Sequence, residues 1–246
     1  MSPTFAELHR GELPLLLPNA WDVPSALALA AEGYPAIGTT SFGVSLATGR
    51  PDGQRASRDA NLALAASLAG RGFFLSVDIE DGYSDDPREV AAYAERLTAD
   101  GINIEDSTDE ELIDPEAHAA KITAIKQRRP ELFVNARVDT YWLGQKATVP
   151  ETVRRAQRYI EAGADGIFVP GADDPGALTV DVPLNVLATP GMTLRQLGEL
   201  GVRRVSTGSL PYRAAFRAAV DAVNAVREGK APPPAMPYGD LQRLMR

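Results

Sequence analysis

Short apolar runs alternate along the chain with longer segments in which apolar residues return every three or four positions. The first pattern predicts buried strands and the second predicts helices. Predicted strands are Leu13–Pro18, Ala36–Ser41, Phe73–Glu80, Ile102–Asp106, Leu132–Val138, Gly166–Pro170, Leu184–Ala188 and Arg204–Thr207. The intervening helices are predicted over Pro24–Glu32, Asp59–Ala69, Pro87–Asp100, Pro115–Arg128, Pro150–Ala162, a short Asp174–Leu178, Thr193–Leu200 and Pro211–Glu228. Several open on a proline, which presets the helical φ and lacks only an N–H that would be unbonded anyway; Asp86 and Asp114 stand where caps belong.

Strands that alternate with helices form parallel sheets, and eight such units in 246 residues predict a closed (β/α)8 TIM-type barrel. An open doubly wound sheet is the alternative. It usually carries a glycine-rich turn after its first strand, where this chain has Asn19-Ala20-Trp21-Asp22. Residues 1–230 read as one barrel domain and 231–246 as a C-terminal arm with three consecutive prolines. The apolar stripe Leu241, Leu244, Met245 suits docking of that arm, including on a neighbouring subunit.

Polar residues gather at one end of the predicted strands. Asn19 and Asp22 follow the first, and Thr39, Thr40 and Ser41 end the second. Asp78 and Glu80 end the third, Glu105 and Asp106 the fourth, and Asn135, Arg137 and Asp139 the fifth. Asn185 lies on the seventh, and Ser206 and Gly208 close the eighth. The opposite ends are Leu13, Ala36, Phe73, Ile102, Leu132 and Gly166. In a barrel the C-terminal rim carries the chemistry. Strand alternation turns Asp78 and Glu80 the same way, and two adjacent carboxylates call for a cation between them. A hard divalent metal meets that need; a solvated acidic turn is the plainer reading of the same residues.

Composition narrows the chemistry. The net charge of −8 argues against nucleic acid or an anionic membrane as the partner. No apolar run is long enough to span a bilayer, and no leader segment is evident, so the expectation is a cytoplasmic protein. Without cysteine there is no thiolate ligand, thiol nucleophile or disulfide. The only histidines, His9 and His118, lie away from the rim, which disfavours a zinc site. Lys121, Lys126, Lys146 and Lys230 all lie off the strand ends, which disfavours a Schiff base. Acids and water suit Mg2+, with Mn2+ as the substitute. Such a metal, with Arg137 to grip a carboxylate or phosphonate, suits a chelating 2-oxo acid whose enolate it stabilises. Trp21 and Tyr83 are candidates for the wall over the ligand.

At these residues the chain resembles the isocitrate lyase/phosphoenolpyruvate mutase superfamily, in order from about Leu15 to Glu228. The matching pieces are Thr39-Thr40-Ser41 with Gly49-Arg50-Pro51-Asp52-Gly53, Asp78-Ile79-Glu80-Asp81-Gly82-Tyr83 and Ile104-Glu105-Asp106-Ser107. Asn135-Ala136-Arg137-Val138-Asp139, Asn185-Val186 and Val205-Ser206-Thr207-Gly208-Ser209 complete them. The resemblance implies a (β/α)8 barrel whose last helix is commonly exchanged between subunits of a homodimer or homotetramer. It implies Asp78 as principal metal ligand, with Asp52, Glu80 and Glu105 acting mainly through water. It implies Thr39, Thr40 and Ser41 on the substrate carboxylate, with Arg137 facing the substrate and Asn185 and Trp21 beside it. Arg137 and Glu105 are then the candidate catalytic residues.

The departures bear on the reaction. Lyases of the family carry a Lys-Lys/Arg-Cys-Gly-His lid after the fourth strand, and mutases and phosphonate hydrolases a lysine-bearing one. Here the stretch is Ser107-Thr108-Asp109-Glu110-Glu111-Leu112-Ile113-Asp114, short and acidic, and the run from Asp106 to Asp114 is expected to be solvated. The reading that follows is a Mg2+-dependent lyase on a small 2-oxo or 2-hydroxy di- or tricarboxylate, with decarboxylation of an oxaloacetate-like acid favoured. Phosphoenolpyruvate or phosphonate P–C chemistry and non-catalytic binding of a 2-oxo acid are the alternatives.

Overall fold

The computed structural model describes residues 3–246. Strands β1 (Leu15–Leu17), β2 (Asn19–Ala20), β3 (Ala36–Thr39), β4 (Phe74–Asp78), β5 (Gly101–Glu105), β8 (Phe133–Arg137), β9 (Gly166–Phe168), β10 (Leu184–Leu187) and β11 (Val202–Ser206) form one parallel sheet. Its order is β1-β11-β10-β9-β8-β5-β4-β3-β2. The two ends of that order are halves of one strand, parted at Pro18. The Leu17 carbonyl accepts from Thr207 on the β11 side, and the Pro18 carbonyl accepts from Gly38 on the β3 side. Proline lacks the N–H that would continue one ladder, so the strand passes from one neighbour to the other and the barrel closes.

Alternation sorts the staves into two faces. Val77, Ile102, Ile104, Val134, Ala136, Ile167, Val186 and Val205 lie buried in the apolar layer outside the barrel. The surrounding helices are α1 (Val23–Ala31), α3 (Arg58–Leu68), α4 (Pro87–Arg96), α5 (Pro115–Arg128), α7 (Val149–Glu161) and α8 (Leu194–Glu199). Inside the barrel, Phe5, Leu15, Leu17, Ala36 and Phe133 make an apolar floor. Phe5 presses on Gly101, where a Cβ would lie 2.6 Å from its ring. His9 stacks on Phe133 at 4.3 Å. Above that floor the interior turns polar, with Ser76, Asn103, Asn135, Asn185, Arg204 and Ser206 all buried.

Most predicted elements form within a few residues of their expected limits, and the exceptions have local causes. Ser41 opens a helix, α2 (Ser41–Ala47), instead of ending a strand; seven residues with a glycine and two serines carry too short a period to be read. The third strand stops at Asp78, and Glu80 takes a left-handed backbone (φ 49), so the alternation expected to align Asp78 with Glu80 ends before it. The stretch after β5 folds as a hairpin, β6 (Ser107–Thr108) with β7 (Glu111–Leu112), around left-handed Asp109 and Glu110. A short α6 (Thr140–Leu143) follows β8. The helix α9 (Leu210–Arg227) buries Tyr212 alone, and Phe216, Val220, Val223 and Val226 stand exposed along it. The arm carries α10 (Tyr238–Leu244), packed on α1.

Asp106 corrects the expected solvated acidic run: its side chain is fully buried. It accepts from Arg155 Nη1 (2.8 Å), the Tyr159 hydroxyl (2.7 Å) and the Asp139 amide (2.7 Å), tying β5, β8 and α7 together. Glu105, one residue earlier, takes the opposite strand face and turns inward.

His118 is buried against the Tyr159 ring, and neither ring nitrogen has a partner among the described residues. Burial, with Lys121 and Arg155 nearby, pushes it down to about 3; burial above all pushes His9 down to about 4. Each imidazole protonates near pH 6.5 in the unfolded chain but not in the folded one, so the histidine contribution to stability falls as pH drops below about 6.5 and keeps falling toward pH 4. Each histidine contributes a slope of about 1.4 kcal/mol per pH unit in that window. The raised carboxylates of the mouth and Asp106 titrate in the same range with the opposite sign, so the test is the difference between wild type and His118→Phe: from urea titrations between pH 7.5 and 4.5 it is expected to change by about 1.4 kcal/mol per pH unit below about 6.5. A difference that does not vary with pH would contradict it.

Candidate metal and active site

Asp78 is the last residue of β4, and its carboxylate sits at the C-terminal mouth of the barrel. One oxygen accepts from the Ser41 amide at the start of α2 (3.0 Å). The other, Oδ1, is buried with no partner among the described residues. Burial raises the Asp78 carboxyl above the ordinary carboxylate range; Arg137 and the Ser41 amide oppose that shift and Asp52 adds to it. The Asp52 carboxyl is raised by desolvation too, against the Gly53 amide, the Ser41 hydroxyl and the charge of Arg137. Ser41 therefore lies between Asp52 and Asp78.

On the other side, Arg137 Nη1 donates to Glu105 (2.6 Å) and its Nε to Asp139 (2.6 Å). Its guanidinium lies over the rings of Trp142 (5.4 Å) and Phe168 (5.8 Å). Desolvation works to lower Arg137, but Asp139, Glu105 and Asp78 outweigh it and the net shift is upward. Glu105 is raised well above its usual range, by burial first, with Asp139, Asp78 and Asp52 adding to it against Arg137. Four carboxylates thus crowd one guanidinium at the mouth, and the excess negative charge is of the kind a divalent cation relieves.

Glu80 faces the loop between α2 and α3. One oxygen accepts from the Ser57 amide (3.1 Å) and hydroxyl (2.5 Å), the other from the Arg55 amide (2.8 Å). Burial raises its carboxyl against those bonds. Thr39 uses its hydroxyl within the sheet, accepting from the Asp78 amide (2.9 Å). Thr40 is buried at the start of α2, without a side-chain capping bond. Trp21 packs edge-on against Tyr212 (5.2 Å) and is only partly exposed. Tyr83 is buried under Tyr93, its hydroxyl held by Ser57 and Asn61 (2.8 Å each). Asn185 accepts from Ser206 (3.1 Å), and its amide nitrogen is buried without a partner among the described residues.

The acids at the mouth were legible in the sequence, whereas two arginines were not. Arg204 crosses the barrel interior to Asn103 (3.1 Å) and Ser76 (3.4 Å), and no carboxylate touches it among the described residues. Burial lowers it to about 9, opposed by the charge of Asp78. Its signal was strand phase: Arg204 and Ser206 share one face of β11. Arg55, in a loop without periodicity, gave no signal.

The donors fit a hard cation. Every side-chain ligand on offer is oxygen, and Asp78 supplies a buried oxygen with no partner. Among the described residues no group of three acids or histidines stands ready as a complete cage.

A family model described as phosphoenolpyruvate phosphomutase matches residues 5–227. The chain belongs to the isocitrate lyase/phosphoenolpyruvate mutase superfamily. It is 59% identical over 244 residues to an uncharacterized protein of Mycobacterium tuberculosis (strain ATCC 25618 / H37Rv), spanning 97% of this chain and 95% of that one. It is 30% identical to the 2-methylisocitrate lyase of Bacillus subtilis (strain 168), over 63% of this chain and 54% of the lyase. It is 30% identical to the oxaloacetate decarboxylase of Rhodopseudomonas palustris (strain BisA53), over 63% of this chain and 60% of the decarboxylase. A crystal structure from Burkholderia cenocepacia J2315, provisionally named a lyase/mutase, superposes with TM-score 0.88 at 32% identity, covering 98% of this chain and 94% of that one. The superfamily barrel agrees with the fold read from the strand–helix alternation.

Removing the Arg137 cation leaves Glu105 and Asp139 facing each other. Arg137→Met is expected to destabilise the protein by about 3 kcal/mol, as loss of one partner of a buried ion pair does. Adding Glu105→Gln is expected to recover part of that loss. Equal urea midpoints for wild type and Arg137→Met would show that the pairing carries no stability.

Proposed function

We propose that the protein is a Mg2+-dependent carbon–carbon lyase acting on a small 2-oxo or 2-hydroxy diacid, with decarboxylation of an oxaloacetate-like acid as the favoured reaction. The observation that carries this is the buried, unpartnered oxygen of Asp78 among Asp52, Glu105 and Arg137. When bound there, Mg2+ supplies the Lewis acidity that draws electrons from the bond being broken. Mn2+ suits the same oxygen donors.

The chain's own groups do the rest. Asp78 would hold the cation directly, with Asp52, Glu105 and Glu80 acting through water. Arg137 receives a substrate carboxylate through Nη2, the nitrogen that Glu105 and Asp139 leave free, and those two acids fix its plane. Ser41 orients Asp78 through its amide; Thr39 steadies the strand behind it, and Thr40 begins the helix that presents that amide. Asn185 offers its unpartnered amide inside the mouth, and Trp21 with Tyr212 forms the wall at the β2 side.

The hairpin of Ser107–Leu112 bears on the reaction class. It offers no thiol, lysine or histidine for proton transfer. Decarboxylation asks for an electron sink more than for a dedicated acid at that position, which favours it over cleavage of a tricarboxylate. An oxaloacetate decarboxylase and a 2-methylisocitrate lyase are equally similar to the chain, at 30% identity; both support the lyase class, and the choice within it rests on the hairpin. Phosphonate chemistry in the same mouth is the second reading, and binding without turnover the third. The exposed stripe Phe216, Val220, Val223 and Val226 on α9 suits burial against a second copy of the chain, so a homodimer or homotetramer is part of the proposal.

Pyruvate release from oxaloacetate is expected with Mg2+ and is expected to stop with EDTA. Asp78→Ala is expected to lower kcat/KM at least about a hundredfold, the scale of losing a key electrostatic contact. Metal-independent turnover, or unchanged activity in Asp78→Ala, would sink the lyase reading; tight 2-oxo acid binding without turnover would leave the binding protein. Light scattering is expected to show a dimer or larger, and Phe216→Ser with Val223→Ser to shift it toward monomer. A monomeric wild type would refute the assembly.

A further inference from the structure

Asp81 belongs to the acidic stretch after β4 but takes no part in the site described so far. It is buried, and its carboxylate gathers three separate segments of the rim. Arg55, from the loop between α2 and α3, donates through Nε (3.2 and 3.1 Å) and Nη2 (2.6 Å). Thr108, from the hairpin, donates its hydroxyl (2.9 Å). Lys121, from α5, bonds the Asp81 carbonyl (2.9 Å) and stands 3.8 Å from its carboxylate. Arg55 also reaches Asp85.

The loop that Arg55 belongs to carries Asp52. Its backbone is held in an unfavourable shape: Gln54 and Arg55 both have left-handed φ (55 and 61) without being glycine. Such residues persist only where their surroundings impose the conformation. Here Glu80 takes the Arg55 and Ser57 amides, and Asp81 takes the Arg55 side chain. Gly82 permits this packing: at φ 93 it has no side chain, and a Cβ would lie 2.7 Å from Val90.

We infer that Asp81 is a positioning residue: through Arg55 it latches the strained loop that brings Asp52 to Asp78, and through Thr108 it fixes the hairpin to the same anchor. The inference rests on the metal reading above for its functional meaning, and on the loop geometry for its structural part. Outer-shell contacts of this kind typically set metal affinity by tenfold to a hundredfold.

The test uses the full chain with Arg55→Met, Arg55→Lys, Asp81→Asn and, as a control at the exposed partner, Asp85→Ala. Amide exchange of residues 50–57 is read in metal-free protein, and Mn2+ affinity by calorimetry. Arg55→Met and Asp81→Asn are expected to speed exchange across the loop and to weaken Mn2+ binding about tenfold or more. Arg55→Lys is expected to recover part of both, and Asp85→Ala to leave both near wild type. If Asp81→Asn does not fold, Arg55→Met, partly exposed, decides alone. Unchanged loop exchange in Arg55→Met overturns the latch. Metal binding in the wild type with unaltered affinity in the variants overturns the inference alone, whereas a wild type that binds no Mn2+ overturns the metal reading and this inference with it.

Discussion

Asp78 is taken out of water with one oxygen satisfied by a backbone amide and the other by nothing among the described residues. A buried carboxylate costs several kcal/mol unless its charge is met, and the rest of the mouth is arranged around that charge. Arg137 lies within electrostatic reach but is already shared between Glu105 and Asp139. Arg204 acts on Asp78 from below, across neutral asparagine and serine side chains. Asp52 adds a further negative charge. The net imbalance stands at the barrel end where the strand termini converge, and the proposed cation site rests on it.

The rim is rigid for reasons that lie in bonding more than in apolar packing. The hairpin is tied at Ser107 to Asp139, at Thr108 to Asp81, and at its turn to Gln145, which donates to the Glu110 carbonyl and accepts from the Leu112 amide. Six left-handed non-glycine residues, Gln54, Arg55, Glu80, Tyr83, Asp109 and Glu110, lie in these connections. Each is unfavourable by itself, and their concentration around one opening is the pattern expected where a site dictates local shape. The hairpin is bonded to its surroundings at both ends and at its turn.

The barrel could be read from the chain because its signal is repeated: an apolar strand followed by a helix, eight times over, with a proline or aspartate at the start of most of the helices. The acids could be read because strand ends in a barrel are the place for them. Three things could not. The phase of Glu105 against Asp106 depends on where β5 begins, and one residue of shift exchanges an inward ligand for the outward anchor of Arg155. The left-handed turn at Glu80 ends the alternation that would have set it beside Asp78. Arg204 sits on an inward position of β11, but a charged residue there is intelligible only once Asn103 and Ser76 are known to stand opposite. These failures share a cause: partners distant in sequence decide each case, and local pattern does not contain them.

The seam at Pro18 bears on how the molecule comes into being. The acidic side of the mouth is built from β3 to β8, so all of its staves have been synthesised once residue 139 is made. Closure waits for β11, whose Arg204 pairs in register with Leu15 from the start of the chain. Contacts spanning so much sequence are slow to form because a large loop must first be brought together. The guanidinium that underlies Asp78 belongs to that last stave. Enclosing the carboxylates and closing the barrel therefore depend on the same pairing of the two ends of the chain.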